Sequence, residues 1–158
     1  MDAQTIQDYT LRVTRANRTE LIVILYEIAL ENLLEAKEHL NQGNEMEYKK
    51  RLQHVCKCVN ELIVSLDFSY QIAYDLMRLY RYVNECILTA LTVKDITLLE
   101  QATRTLEGLK ITFEQVAAKD ETGPVMQNTE KVYAGLTYSK NTLNEALLHT
   151  SFNRGFRA

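Results

Sequence analysis

From Leu21 to Leu30 the chain reads LIVILYEIAL, apolar or aromatic at every position except Glu27. A bundle helix needs a single apolar stripe, so Val23, Ile24 and Leu30 exceed what three neighbours require. Elsewhere the apolar residues recur at intervals of three and four, the spacing of one helical face. The first helix begins at Asn17, with Glu20 three residues on in a capping-box pattern, and stops near Asn41-Gln42-Gly43. Asn44 with Glu47 repeats the signal before a second stripe, Leu52, Val55, Cys56, Val59, Leu62, Ile63 and Leu66. After Asp67-Phe68-Ser69 a third helix carries Ile72, Leu76, Leu79, Tyr80, Val83, Cys86, Ile87 and Ala90. A fourth, capped by Asp95, carries Leu99, Ala102, Leu106, Leu109, Phe113 and Val116.

Four helices of similar length with very short connections predict an all-α, antiparallel up-and-down four-helix bundle. Gly123-Pro124 marks a break, and from about Asp120 the chain mixes Asn, Thr, Ser and Gly with scattered apolar residues. The expected organisation is therefore a bundle with an N-terminal cap segment over residues 1–119. Residues 120–158 form a partly helical or flexible C-terminal tail, mobile or loosely docked.

Off-stripe apolar residues also occur on the later helices, at Cys58, Val64, Tyr74, Tyr82 and Leu88. Two readings of the apolar excess coexist. The first helix sits centrally, covered by the others and by a terminal segment, and part of the surface forms a groove for a partner's amphipathic helix.

Length and charge narrow the function classes. A chain of 158 residues with 46% hydrophobic and 25% charged content buries one proper core. Its net charge of −3 gives no reason to expect nucleic acid, which needs clustered cations. LIVILYEIAL is about half a bilayer span and is followed by Glu31, Glu35 and Lys37, so no membrane insertion is expected. The start MDAQTIQDY carries acid where a secretory signal carries base, which places the chain in the cytoplasm. Cys56, Cys58 and Cys86 make no C-x-x-C pair and read as reduced thiols.

Catalytic chemistry is sparse. None of His39, His54 or His149 has a Glu three residues before it, so the di-metal pattern of helix bundles fails, and no metal or other cofactor is expected. No phosphate-binding glycine loop, nucleophile elbow or H-E-x-x-H helix is present. His54 with Lys57 resembles the exposed pair of histidine phosphotransfer bundles, although Cys58 stands where that family has a small residue. An ordinary surface His beside a surface Lys is the commoner meaning of so short a motif.

Four stretches carry a longer resemblance: TELIVILYEIALENL, CVNELIVSLDF, IAYDLMRLYRYVNECILTA and KDITLLEQATRTLEGLKITF. Together, in register from about Ile6 to Val116, they resemble the FliS family of flagellin export chaperones. The triplet Leu25-Tyr26-Glu27, the pair Leu66-Asp67, and Leu79, Tyr80, Tyr82 and Asn84 match the family's motifs, as do Ile6 and Tyr9 near the start. The chain departs from the family at Arg18, Glu27, Ile28 and Phe113, where Pro, Asp, Gly and Trp are common.

The resemblance implies a non-enzymatic cytoplasmic chaperone of type III export, with two partners. One is the disordered C-terminal segment of flagellin, held so that it does not polymerise early, and the other is a flagellar export gate protein. It makes Tyr26, Leu62, Leu66, Leu79, Tyr80 and Tyr82 candidates to line or support the flagellin groove, with Asp67 and Asn84 fixing backbone groups near its end. Leu62, Leu66 and Leu79 lie on core stripes and so read as support. Asp67 has the simpler reading of a helix cap. Ile6 and Tyr9 become a mobile cap over apolar surface that also touches the gate. A homodimeric helical scaffold, in which the same apolar surface pairs with itself, is the alternative from a different class, and a weak homodimer is compatible with either.

Overall fold

In the computed structural model, residues 3–126 are described. They form five helices: α1 (Ala3–Arg15), α2 (Arg18–Asn41), α3 (Glu45–Val64), α4 (Gln71–Val93) and α5 (Ile96–Ala117). No strand occurs among the described residues. The all-helical expectation therefore holds, with one helix more than the pattern predicted. The extra helix is the N-terminal cap segment itself. Ile6, Tyr9 and Val13 are spaced by three and four, and Arg12 and Arg15 occupy the last turn, where cations favour the helix dipole.

The predicted helix ends are drawn by their caps. Asn17 and Glu20 exchange hydrogen bonds in a complete capping box, the Glu20 amide donating to Asn17 Oδ1 at 2.8 Å and the Asn17 amide to Glu20 Oε2 at 2.8 Å. At the other end of α2, Gly43 adopts a φ of 71°, the left-handed region glycine enters without a Cβ penalty. The Gly43 amide bonds Leu40 O and the Asn44 amide bonds His39 O, the paired pattern that closes a helix through such a residue. Asn44 caps α3 by accepting from the Glu47 amide, but Glu47 turns its carboxylate to Lys50 and Arg51, so this second box is half made.

Helices α2 to α5 surround one core. α2 packs against α3 and α5, and α4 packs against α3 and α5, while α1 touches chiefly α2. Tyr26, Leu33, Tyr48, Leu62, Tyr80 and Ile87 are among its fully covered large side chains. Cys58, which the pattern set off the stripe, is buried in this core. Three residues assigned to core stripes are exposed: Leu79, Val116 and Ile72, the last with its place taken by Ala73. Ile72 and Val116 stand close to a helix end, where neighbouring helices no longer cover the face.

A polar network ties α2 to α3. Asn32, fully buried, donates to Ile28 O at 2.8 Å and accepts from Arg51, which also meets Glu35 at 3.0 Å and Glu47 at 3.3 Å. At the first residue of α3, Glu45 sits between Lys49 (2.7 Å) and Lys94 (2.9 Å), joining the start of α3 to the end of α4. Those two ammonium groups, that of Lys49 first, hold its carboxyl at about 2.

After α5 the chain returns to the α1–α2 junction. Thr19 Oγ1 donates to Asp120 Oδ2 at 2.5 Å, Asn17 Nδ2 to Asp120 O at 3.3 Å, and the Val125 amide to Ala16 O at 3.1 Å. The compact unit containing the helices runs on to Val125. Of the tail expected over residues 120–158, residues 127–158 lie outside the described residues.

Candidate functional site

The sequence-derived groove residues separate into three environments. Tyr26, Leu62 and Tyr80 are fully covered core residues. The Tyr26 and Tyr80 hydroxyls meet at 2.5 Å, and the Tyr26 ring lies 5.6 Å from that of Phe113. Burial pushes both phenols above their ordinary value. These residues shape the bundle from inside and offer a ligand no surface. Leu66, expected like Leu62 on a core stripe, is half-buried against the same core.

Leu79 departs from that expectation. It is 40% exposed, and Tyr82 three residues on is 42% exposed. The buried set of α4 is Ala73, Tyr80, Val83, Cys86, Ile87 and Ala90, and Leu79 lies on the margin of that face, beside Val83 and Cys86 and about 100° from Tyr80. Tyr82 Oη donates to Gln101 Oε1 of α5 at 3.1 Å, so this margin of α4 lies along its seam with α5.

Asn84 lies on the opposite margin. Its Nδ2 donates to Asn60 Oδ1 of α3 at 3.2 Å, while its own Oδ1 is buried without a hydrogen-bond partner among the described residues. A buried acceptor left unmade is costly, so a donor arriving from outside is favoured there. One turn along, Leu88 is 57% exposed, and Val64 on α3 is 79% exposed. Sequence reading marked both as off-stripe without making them site residues. α3 and α4 also make the least contact of the four neighbouring pairs around the core.

Asp67 does not cap a helix. Tyr70, which precedes α4, makes no side-chain cap, and Asp67 Oδ1 accepts from the Ser69 amide at 2.9 Å, closing the turn between α3 and α4. The Ser69 side chain and amide, with the charge of Arg18, hold its carboxyl below the usual range. Phe68 and Tyr74 pack edge to face beside this turn, with centroids 5.2 Å apart.

The N-terminal residues are held differently from all of these. Ile6 is exposed and Tyr9 half-buried, so only Tyr9 covers much of α2. Sequence reading missed the group that fixes the cap: Arg12 donates to both carboxylate oxygens of Glu27, at 2.6 and 3.1 Å, and lies 5.5 Å from the Tyr9 ring centroid. Tyr9 hydrogen-bonds Glu31. Its phenol is pushed up to about 12, by burial first and then by the Glu31 and Glu27 charges. Under α1, Val23 and Ile24 are buried, which answers why LIVILYEIAL is apolar nearly all round.

No group of three His, Cys, Asp or Glu able to hold a metal ion occurs among the described residues. No described helix is long and apolar enough to cross a membrane. His54 is half-buried, and burial, then Lys57, Arg51 and Lys50, push its imidazole below its ordinary value.

The family model described as "Flagellar protein FliS" matches residues 2–120, all five helices included. The chain belongs to the FliS family. A search of curated proteins gave no match. FliS membership carries a flagellar chaperone role, in a family of chaperones and not of enzymes. Two departures from the FliS pattern have visible local consequences. Phe113, where Trp is common, keeps an aromatic ring against Tyr26. Glu27, where Asp is common, has the reach to take both guanidinium nitrogens of Arg12.

Proposed function

We propose that this FliS-family chain is a cytoplasmic export chaperone that binds the disordered C-terminal segment of flagellin in apolar seams between its helices. It thereby prevents premature polymerisation and presents the client to an export gate protein of the flagellar type III apparatus. The observation that carries the reading is the unfinished surface of α4. Leu79 and Tyr82 stand open along α5, and Leu88 with the unpaired Asn84 Oδ1 stands open along α3, beside a core already filled. Within this reading α2 to α5 run up and down in antiparallel sense, supported by their short connections and by the Glu45–Lys94 bridge.

A client that folds on binding buries on the order of 1,000–3,000 Å² and gives up roughly 2–5 kcal/mol to ordering. Long shallow seams suit that exchange better than one enclosed pocket. A segment that engages both margins of α4 has to pass around the helix, and Asn84 offers an acceptor for one of its backbone amides. Tyr9 and Ile6 take the gate-facing and capping role, Tyr26, Leu62, Leu66 and Tyr80 the supporting one, and Asp67 holds the α3–α4 turn.

Calorimetric titration of the full chain with a flagellin C-terminal peptide tests the reading. One-to-one saturation with a strongly negative heat-capacity change supports it. Absence of binding, together with a tight dimer by light scattering in the client-free protein, replaces it with the homodimeric scaffold.

A further inference from the structure

The faces of α3 and α4 that meet at their seam carry the same short pattern. Lys57, Asn60 and Val64 stand on α3, and Arg81, Asn84 and Leu88 on α4: in each a cation, an asparagine three residues on and an apolar residue seven residues on. At about 100° per residue the apolar side chain lies about 40° and the cation about 60° around the helix from the asparagine, in the same direction. Asn84 Nδ2 donates to Asn60 Oδ1 at 3.2 Å, which sets the two patterns side by side. In the antiparallel sense proposed above, a local two-fold axis through that bond relates them. Lys57 is then about level with Leu88, and Arg81 with Val64. The cations stand three residues from their asparagines in opposite directions, so they are about 9 Å apart along the seam.

Three groups of this frame are unanswered. Lys57 and Arg81 are exposed and make no hydrogen bond or ion pair among the described residues. Glu61 and Glu85, each four residues beyond its cation, lie about 40° further around the helix and bridge to neither. Asn84 Oδ1 is buried without a partner among the described residues. Val64 and Leu88 add two exposed apolar side chains. Burial first, then Lys57, Arg51 and Lys50, hold the His54 imidazole below its ordinary value, so the outside of α3 carries a positive field in a chain of net charge −3.

We propose that the α3–α4 seam is a charge-selective docking site for an extended stretch of the client with the order acid, apolar, apolar, acid. At about 3.3 Å per residue, carboxylates three residues apart in an extended chain span about 10 Å, which matches the separation of the cations. Side chains alternate along such a stretch, so one carboxylate turns to Lys57 on α3 and the other to Arg81 on α4, while the apolar pair between them turns to Leu88 and Val64. A backbone amide at the centre donates to Asn84 Oδ1, an acceptor costly to leave unmade. A helical occupant would have spent that amide on its own carbonyl. Exposed ion pairs contribute little singly, so the pattern sets which stretch enters the seam, and in which register, more than how tightly it binds. The proposal deepens the chaperone reading and rests on it for the occupant and the helix sense, while the charge pattern belongs to α3 and α4 themselves.

The test titrates the isotopically labelled full chain with short capped peptides built around a Val-Leu pair, flanked on both sides by glutamate, by glutamine or by lysine. NMR shifts should centre on Asn60, Val64, Asn84 and Leu88. The glutamate peptide should bind about three- to tenfold more tightly than the glutamine one at low salt. That advantage should vanish near 1 M salt, where the Debye length is about 3 Å. A chain carrying Lys57→Glu and Arg81→Glu should melt like the parent, since neither side chain has a partner to lose, and should prefer the lysine peptide. No shift at millimolar peptide, equal affinities on the parent chain, shifts centred on another face, or a glutamate preference that survives the charge reversal would each overturn the proposal. Failure of the flagellin titration with the glutamate preference intact would remove the client and leave the charge pattern standing, so the two readings fail separately.

Discussion

α1 and α2 are separated by two residues and are held by different physics. α2 is covered from three sides and places Tyr26, Ala29, Leu33 and Ala36 in the core, so its position is fixed mainly by apolar burial. α1 has one principal neighbour, leaves Ile6 and Leu11 exposed, and is pinned by the Arg12–Glu27 pair and the Tyr9 phenol. Burial is cooperative and expensive to undo. A partly exposed ion pair is worth little and exchanges readily. A chaperone that must hold a client and then release it needs both kinds of attachment in one chain.

The largest expected difference between the two regions is in stability. Leu33→Ala should cost about 2–5 kcal/mol in urea unfolding, from lost transfer energy and the cavity left behind. Leu11→Ala should stay within about 0.5 kcal/mol. Comparable losses for the two would place α1 in the cooperative core and end the comparison.

Asn17 stands between the regions, and its effect should be intermediate. It caps α2 and donates to Asp120 O, so Asn17→Ala removes a reciprocal cap together with a tie to the segment after α5. A loss of about 1 kcal/mol is expected in the same unfolding experiment. Unchanged stability would mean that α2 is positioned by packing alone at this end.

These regions were unequally legible in the sequence. Periodicity and caps drew α2 to α5 closely, because Asn17-Glu20, Asn44, Gly43 and Asp95 act through local backbone geometry. α1 escaped as a helix because its apolar residues are few and no capping signal precedes them. Tyr48 went unassigned, yet it is fully buried with its hydroxyl donating to Ala90 O at 2.8 Å, a partner 42 residues away that no local pattern encodes. The candidate site was named from family motifs, which do not distinguish a residue shaping a groove from one lining it. Tyr26 and Tyr80 proved internal, whereas Leu79, on the margin of the buried stripe of α4, proved external.

The open seam of α4 sharpens the contrast between holding the fold and holding a client. Asn84→Ala should change urea stability by less than about 1 kcal/mol, since one acceptor of the side chain is already unpaired. It should weaken the flagellin peptide by about 0.5–1.5 kcal/mol in calorimetry, the usual net value of a hydrogen bond. A large stability loss with unchanged binding would assign Asn84 to the α3–α4 contact through Asn60 and leave the seam without its polar anchor.

The smallest effect is also the most discriminating, because it has opposite signs in the two cases. Tyr9 titrates at about 12 against 10.0 for a free phenol, so its folded value is raised. Its contribution to α1 docking is fully present below pH 10 and is lost as pH rises through 12. Subtracting the phenolate absorbance of a Tyr9→Phe chain isolates this one ring. Arg12 lies beside it and pulls its value down, against the larger effects of burial and Glu31. If α1 remained docked after Arg12→Gln, removal of the cation would drive the phenol higher still. If the ion pair is what holds α1, the helix leaves, burial and Glu31 are lost with it, and the phenol falls toward 10. The expected result is the fall, because α1 has too little apolar contact to stay without its pair.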